Sequence, residues 1–69
     1  MIQADVDELR AFYRTLSTEQ LLAQRAEYAK LEASARRRPR RALRPAEYFA
    51  ARRALMAEVL GERGVEALN

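Results

Sequence analysis

The sequence has 69 residues, of which 33% are charged, and its net charge is +3. A chain this short makes one small domain with a limited core, and such domains commonly need a disulfide, a metal ion or a partner chain for support. It contains no Cys and no His, which excludes disulfides and thiolate metal sites and removes the commonest metal ligand and general base. We therefore expect no cofactor, and a protein that forms homodimers or binds another protein.

The composition and the distribution of charge narrow the class further. Ala, Arg, Leu and Glu are abundant, whereas Gly and Pro occur only twice each, as is typical of an all-α fold. Residues 36–44, which we call the basic elbow, hold six arginines and no acid, while the segments before and after it are mildly acidic. No uncharged run is long enough to span a bilayer, and the N-terminus has no signal-peptide pattern. We expect a cytoplasmic protein without a membrane partner.

A first helix is predicted over about 5–15. Asp5 with Glu8 three positions later resembles a capping box. Its apolar positions recur at steps of three and four: Val6, Leu9, Phe12, Tyr13 and Leu16.

A second helix is predicted over about 18–35, because Ser17 with Gln20 forms a capping box. One stripe has coiled-coil-like spacing: Leu21, Gln24, Tyr28, Leu31 and Ala35. A second stripe consists mostly of small residues that permit close helix approach, and we expect it to be the seam of a homodimer: Leu22, Ala26, Ala29 and Ala33.

Two prolines bracket the break before the third helix, which is predicted over about 45–62. The residues before them, Arg38 and Arg44, are predicted to be non-helical. Pro45 suits the first helical position, Leu43 and Tyr48 suit a hydrophobic staple, and Gly64 suits the residue after the helix end. One face is apolar: Tyr48, Phe49, Leu55, Met56, Val59 and Leu60. The predicted architecture is a single domain over residues 1–69, with a short N-terminal helix packed on an antiparallel helical hairpin.

Arg52 lies within this apolar face, which leaves two interpretations open. In the first, the aliphatic part of the side chain is buried and the guanidinium reaches solvent at the edge of the face. In the second, the guanidinium stacks on Tyr28 or bonds to Gln24 of the second helix, and this contact sets the register of the hairpin.

The sequence predicts a structural role for each side chain that could otherwise perform catalysis. Glu58 and Glu62 lie one turn apart on a predicted solvent face, and Ser17 is a helix cap. We therefore expect no enzymatic activity.

The basic elbow has three interpretations: a nucleic-acid contact, a contact with an acidic protein surface, or a solvated turn. In the protein-binding case, Arg37, Arg38, Arg40 and Arg41 steer the encounter, and an exposed aromatic residue such as Tyr13 or Tyr48 anchors it.

The length, the Ala/Arg/Leu-rich composition and the capped hairpin of Ser17–Ala35 and Pro45–Glu62 resemble the small helical inhibitor proteins that Mu-like phages make early in infection, such as the phage quorum-sensing anti-activators. The resemblance implies a helical dimer that binds a LuxR-type quorum-sensing regulator through its DNA-binding domain, and also the ATPase that assembles type IV pili. It implies inhibition of both in the host cytoplasm. The alternative is a nucleic-acid-binding accessory protein that uses the basic elbow, residues Arg36–Arg44.

Overall fold

The computed structural model describes residues 3–65, which form three helices and no strand: α1 (Gln3–Arg14), α2 (Thr18–Arg37) and α3 (Ala46–Glu62). The predicted all-α class is confirmed. The predicted domain also includes residues 1–2 and 66–69, which lie outside the described range.

Two helix ends follow their local sequence signals. At the start of α2, the Gln20 N–H donates to Ser17 Oγ at 3.0 Å and the Ser17 N–H donates to Gln20 Oε1 at 2.9 Å. At the end of α3, Gly64 has a φ of 77°, and the Val65 N–H donates to the Leu60 carbonyl at 3.0 Å. These bonds complete a capping box and a Schellman motif, so both predictions are confirmed.

Three other helix ends differ from the prediction. α1 begins at Gln3, so Asp5 is not a cap but lies in the first turn, where its carboxylate still faces the positive end of the helix dipole. α2 continues through Arg36 to Arg37, because arginine is a good helix former and its charge is favourable at a helix C-terminus. Pro45 is the N-cap of α3 rather than its first residue, and its carbonyl accepts the Tyr48 N–H at 3.0 Å.

α2 and α3 form the antiparallel hairpin. Near the elbow, Arg53 of α3 pairs with Glu32 of α2 at 3.2 Å. At the opposite end, Arg63 just after α3 donates to Thr18 Oγ1 at the start of α2, at 3.2 Å. The two helices therefore run side by side in opposite directions.

α1 packs on the C-terminal half of α3 and runs parallel to it. Arg10 pairs with Glu58, and Arg14 pairs with Glu62 at 2.6 Å. Residue numbers therefore increase in the same direction along the two helices. α3 is thus the helix that the other two share, and the molecule is flat, with principal extents of 36 × 26 × 14 Å.

The core lies beneath α1, away from the elbow. It consists of Tyr13, Leu21, Leu55, Met56, Val59 and Leu60. α1 has 12 residues and α2 has 20, which at about 1.5 Å per residue makes them about 18 and 30 Å long. Because α1 is shorter and lies at the other end, it leaves the elbow end of the hairpin uncovered.

Candidate functional site

A cleft of about 590 Å³ opens at the uncovered elbow end, between the last turns of α2, the connecting segment and the first turns of α3. We call it the elbow cleft. Its lining is largely apolar and aromatic, with two arginines, and includes Tyr28, Leu31, Leu43, Tyr48, Phe49, Arg41 and Arg44.

The connecting segment is shaped by a proline turn. Arg38, the residue before Pro39, leaves the helical region with φ −136°, as predicted for that position. The Arg41 N–H then donates to the Arg38 carbonyl at 3.0 Å, which closes a turn with Pro39 at its second position. Beyond this turn Leu43 is 90% exposed, so the predicted staple between Leu43 and Tyr48 is wrong.

Three aromatic rings form a cluster in the elbow cleft. The Phe49 ring meets Tyr28 edge-on, with centroids 5.9 Å apart, and meets Tyr48 edge-on at 5.3 Å. Edge-to-face contacts of this kind are favourable beyond the apolar area that they bury. The cluster therefore joins α2 to α3 and holds the cleft wall in place.

One of the two interpretations of Arg52 placed its guanidinium on Tyr28, but it stacks on a different ring. Its guanidinium carbon lies 4.1 Å from the centroid of Tyr48, one turn earlier on the same helix, and that of Arg44 lies 5.6 Å from the same centroid. The predicted stack on Tyr28, with Gln24 one turn away, is wrong because the ring within reach of Arg52 is on its own helix. Contact between Tyr28 and Phe49 joins the two helices instead.

The arginines of the basic elbow are largely without acidic partners. Arg36 pairs with Glu32 at 2.7 Å. Within the described residues, the five others are exposed and make no ion pair: Arg37, Arg38, Arg40, Arg41 and Arg44. No Asp or Glu occurs between residues 33 and 46, so the elbow cleft lies in a strongly positive region.

Glu32 is an important residue that the sequence reasoning missed. Its side chain is only 6% exposed and lies between Arg36 of its own helix and Arg53 of α3. A buried carboxylate needs such partners because burying an unpaired charge is costly. The sequence does indicate the contact with Arg36, since Arg36 follows Glu32 by four residues, which is the spacing of an ion pair within a helix.

The two aromatic residues proposed as partner anchors have different surroundings. Tyr13 is 2% exposed and belongs to the core, so its assignment as an exposed anchor is wrong. Burial raises the pKa of its hydroxyl to about 12. Phe12 takes the outward position and is 52% exposed, whereas Tyr48 is half-buried and lines the elbow cleft.

The predicted dimer stripe lies on the surface of α2. Leu22 is 41% exposed. Ala26 and Ala33 are also exposed, and Ala29 is half-buried. The stripe is thus accessible to a second chain.

The carboxylates of Glu58 and Glu62, in the C-terminal half of α3, bind arginines of α1. Arg14 donates to both Glu62 oxygens, at 2.9 and 2.6 Å, and these bonds hold the pKa of Glu62 below its ordinary value. Arg10 donates one hydrogen bond to Glu58 of α3 and another to Asp7 of its own helix. These groups fasten α1 to α3.

Arg63 is a second structural residue that the sequence reasoning missed. Its guanidinium donates to the Arg14 carbonyl at 3.0 Å and to the Leu16 carbonyl at 2.7 Å. The Arg14 carbonyl lies at the end of α1, where backbone acceptors lack partners within the helix, and the Leu16 carbonyl lies in the connection to α2. Arg63 therefore caps α1 from the end of α3.

None of the described helices is both long enough and apolar enough to cross a membrane. Residues 3–65 also contain no group of three or more acidic side chains placed to hold a metal ion.

Comparison of the chain with protein-family models, with curated proteins and with solved structures found no match.

Proposed function

We propose that this chain is a non-enzymatic protein that binds another protein and inhibits it. The observation that carries the proposal is the elbow cleft, where Leu31 is 42% and Leu43 is 90% exposed. They lie beside exposed arginines that make no ion pair within residues 3–65. Clustered apolar side chains with a polar surround are typical of interaction surfaces.

The roles of the polar side chains support binding rather than catalysis. The Ser17 hydroxyl accepts the Gln20 N–H. Glu58 and Glu62 each accept from an arginine of α1. These groups stabilise helix ends and helix packing, which favours a stoichiometric mode of action.

The resemblance to early phage inhibitors provides two partners to test, a LuxR-type regulator and the ATPase that assembles type IV pili. The immobilised chain is exposed to each purified protein, beside a variant that combines Leu31→Ala with Leu43→Ala. We expect capture of a partner by the original chain and loss of at least about tenfold in affinity for the variant. A chain that retains neither candidate, nor any protein from a lysate of the host, refutes the proposal.

We further propose that the chain forms a homodimer through Leu22, Ala26, Ala29 and Ala33. The exposure of this stripe and the flat shape of the molecule support the assignment. Light scattering should report a dimer for the original chain and a monomer for Ala29→Trp. Ala23→Trp, an exposed position of α2 outside the stripe, should remain dimeric. An intact Ala29→Trp dimer would show that the seam lies elsewhere.

Nucleic-acid binding is the second candidate, because Arg37, Arg38, Arg40 and Arg41 are free to contact phosphates. Fluorescent duplex DNA and RNA are titrated at two salt concentrations against the original chain and against a variant with all four replaced by Ala. Steeply salt-dependent binding that the Ala variant loses, and that a Lys variant at the same positions largely keeps, would favour this function.

A further inference from the structure

The elbow cleft is an apolar cavity with a preformed wall. Its volume of about 590 Å³ lies within the range of about 300–1,000 Å³ that is common for ligand-binding clefts. Tyr28 and Phe49 hold each other edge-on at 5.9 Å, so the aromatic wall is formed without a ligand. Leu31 and Leu43 extend this surface and are both exposed. The cleft is therefore suited to one or two apolar side chains of a ligand.

The charge around the cleft specifies what else the ligand must carry. Arg41 and Arg44 belong to the lining, and neither forms an ion pair with any of residues 3–65. A ligand that covers these guanidinium groups must supply negative charge, because a buried charge without a partner is costly. A basic ligand would be repelled.

We infer that the elbow cleft binds an acidic amphipathic helix of the partner protein, with its apolar side chains against Leu31 and Leu43 and its carboxylates on Arg41 and Arg44. This inference rests on the proposed protein-binding function and specifies the chemistry of the partner. Arginine suits the role because its planar guanidinium can hold a carboxylate through two parallel hydrogen bonds.

A helix fits this surface better than other ligand classes. An amphipathic helix places apolar side chains three and four residues apart and carboxylates on either side of them. An extended peptide commonly adds to the edge of a sheet, and residues 3–65 contain no strand. Nucleic acid would leave Leu43 without an apolar partner. The Tyr48 ring, already contacted by Arg52 and Arg44 at 4.1 and 5.6 Å, is not free to stack a base.

The inference is tested with a fluorescent synthetic peptide of about 15 residues, long enough to form a helix on binding. It contains leucines at helical spacing on one face and glutamates beside them, in an alanine background. One analogue replaces the glutamates by lysine, and another replaces the leucines by alanine. Fluorescence anisotropy with the full chain should show the acidic peptide binding at least about tenfold more tightly than either analogue, with weaker binding at high salt.

Variants of the chain locate the binding site. Arg41→Ala and Leu43→Ala should each weaken binding of the acidic peptide by about fivefold or more, as expected for removal of an anchoring contact. Lys30→Ala and Phe12→Ala are the controls, because both residues are exposed and lie outside the cleft lining, and their effect should stay below about twofold. Circular dichroism confirms that each variant is folded.

Several results would overturn the inference. The inference is wrong if the acidic and lysine peptides bind equally well, or if Leu43→Ala binds the acidic peptide with unchanged affinity. It is also wrong if the chain binds a DNA or RNA oligonucleotide but no peptide, and if Arg41→Ala abolishes that binding. If the peptide does not bind while a purified partner is still captured, the inference falls and the proposed function stands. If neither binds, both fall.

Discussion

Leu21 and Leu31 lie on the same stripe of α2, yet their replacement by Ala should have very different effects on stability. Leu21 is completely buried in the core, whereas Leu31 is 42% exposed in the elbow cleft. The chemical change is the same at both positions and both side chains belong to one helix. The comparison therefore isolates the effect of burial.

The expected magnitude follows from the burial. Leu→Ala at a fully buried site costs about 2–5 kcal/mol, since the lost transfer free energy is joined by the cost of a cavity. A chain of 69 residues has a total stability of about 3–10 kcal/mol at about 0.05–0.15 kcal/mol per residue. Leu21→Ala therefore removes a large part of the stability and lowers the Tm by about 10 °C or more. Leu31→Ala should cost about 1 kcal/mol because the leucine is only partly buried.

Thermal and urea unfolding followed by far-UV circular dichroism measures both variants. Equal losses at the two positions would refute the reasoning, because Leu31 would then have to be covered as fully as Leu21. That result would also remove the elbow cleft as an open surface. A small loss at both positions would mean that the core does not lie beneath α1.

Three further predictions concern the contacts between helices. Glu62 accepts hydrogen bonds from Arg14 that lower its pKa, so the stabilisation is present above the ordinary value of 4.5 and is lost as pH falls through the lowered pKa. The difference in stability between the original chain and Glu62→Gln should therefore shrink in acid, and pH-dependent unfolding measures it. Because burial raises the pKa of Tyr13 to about 12, the stability that its neutral form contributes is lost as pH rises through that value. Tyr13→Phe should remove an ultraviolet absorbance step near 12, and an unchanged titration curve would contradict the burial. Arg63→Ala should cost about 1–2 kcal/mol in thermal unfolding because it removes charged hydrogen bonds to two carbonyls. Arg40→Ala, which has no such contact, should cost less than about 0.5 kcal/mol.

Local signals in the sequence predicted much of the fold correctly. The capping box at Ser17 and the turn at Gly64 depend on residues within a few positions of one another, so no tertiary contact is needed to recognise them. The same holds for the non-helical residue before Pro39, because the proline ring restricts its neighbour directly. The exact starts of α1 and α3 were predicted incorrectly, because several neighbouring residues near Asp5 and Pro45 are suited to begin a helix.

The candidate site was predicted only in part. The concentration of arginine in the basic elbow is visible in the sequence, but the apolar cleft beside it is not. Spacing alone treats Leu21 and Leu31 as equivalent, and it places both Phe12 and Tyr13 on the apolar face of α1. Which of them is buried depends on where α1 lies on the hairpin.

The sequence by itself determined the three helices, the capping box at Ser17, the turn at Gly64 and the position of the positive charge, because each depends on side chains that are neighbours along the chain. Only the tertiary structure decided that α1 covers one half of the hairpin, that Glu32 is buried between Arg36 and Arg53, and that Arg52 stacks on Tyr48. These outcomes depend on which side chains distant in sequence come into contact. The elbow cleft exists for that reason, since it is the part of the hairpin that the short first helix does not reach.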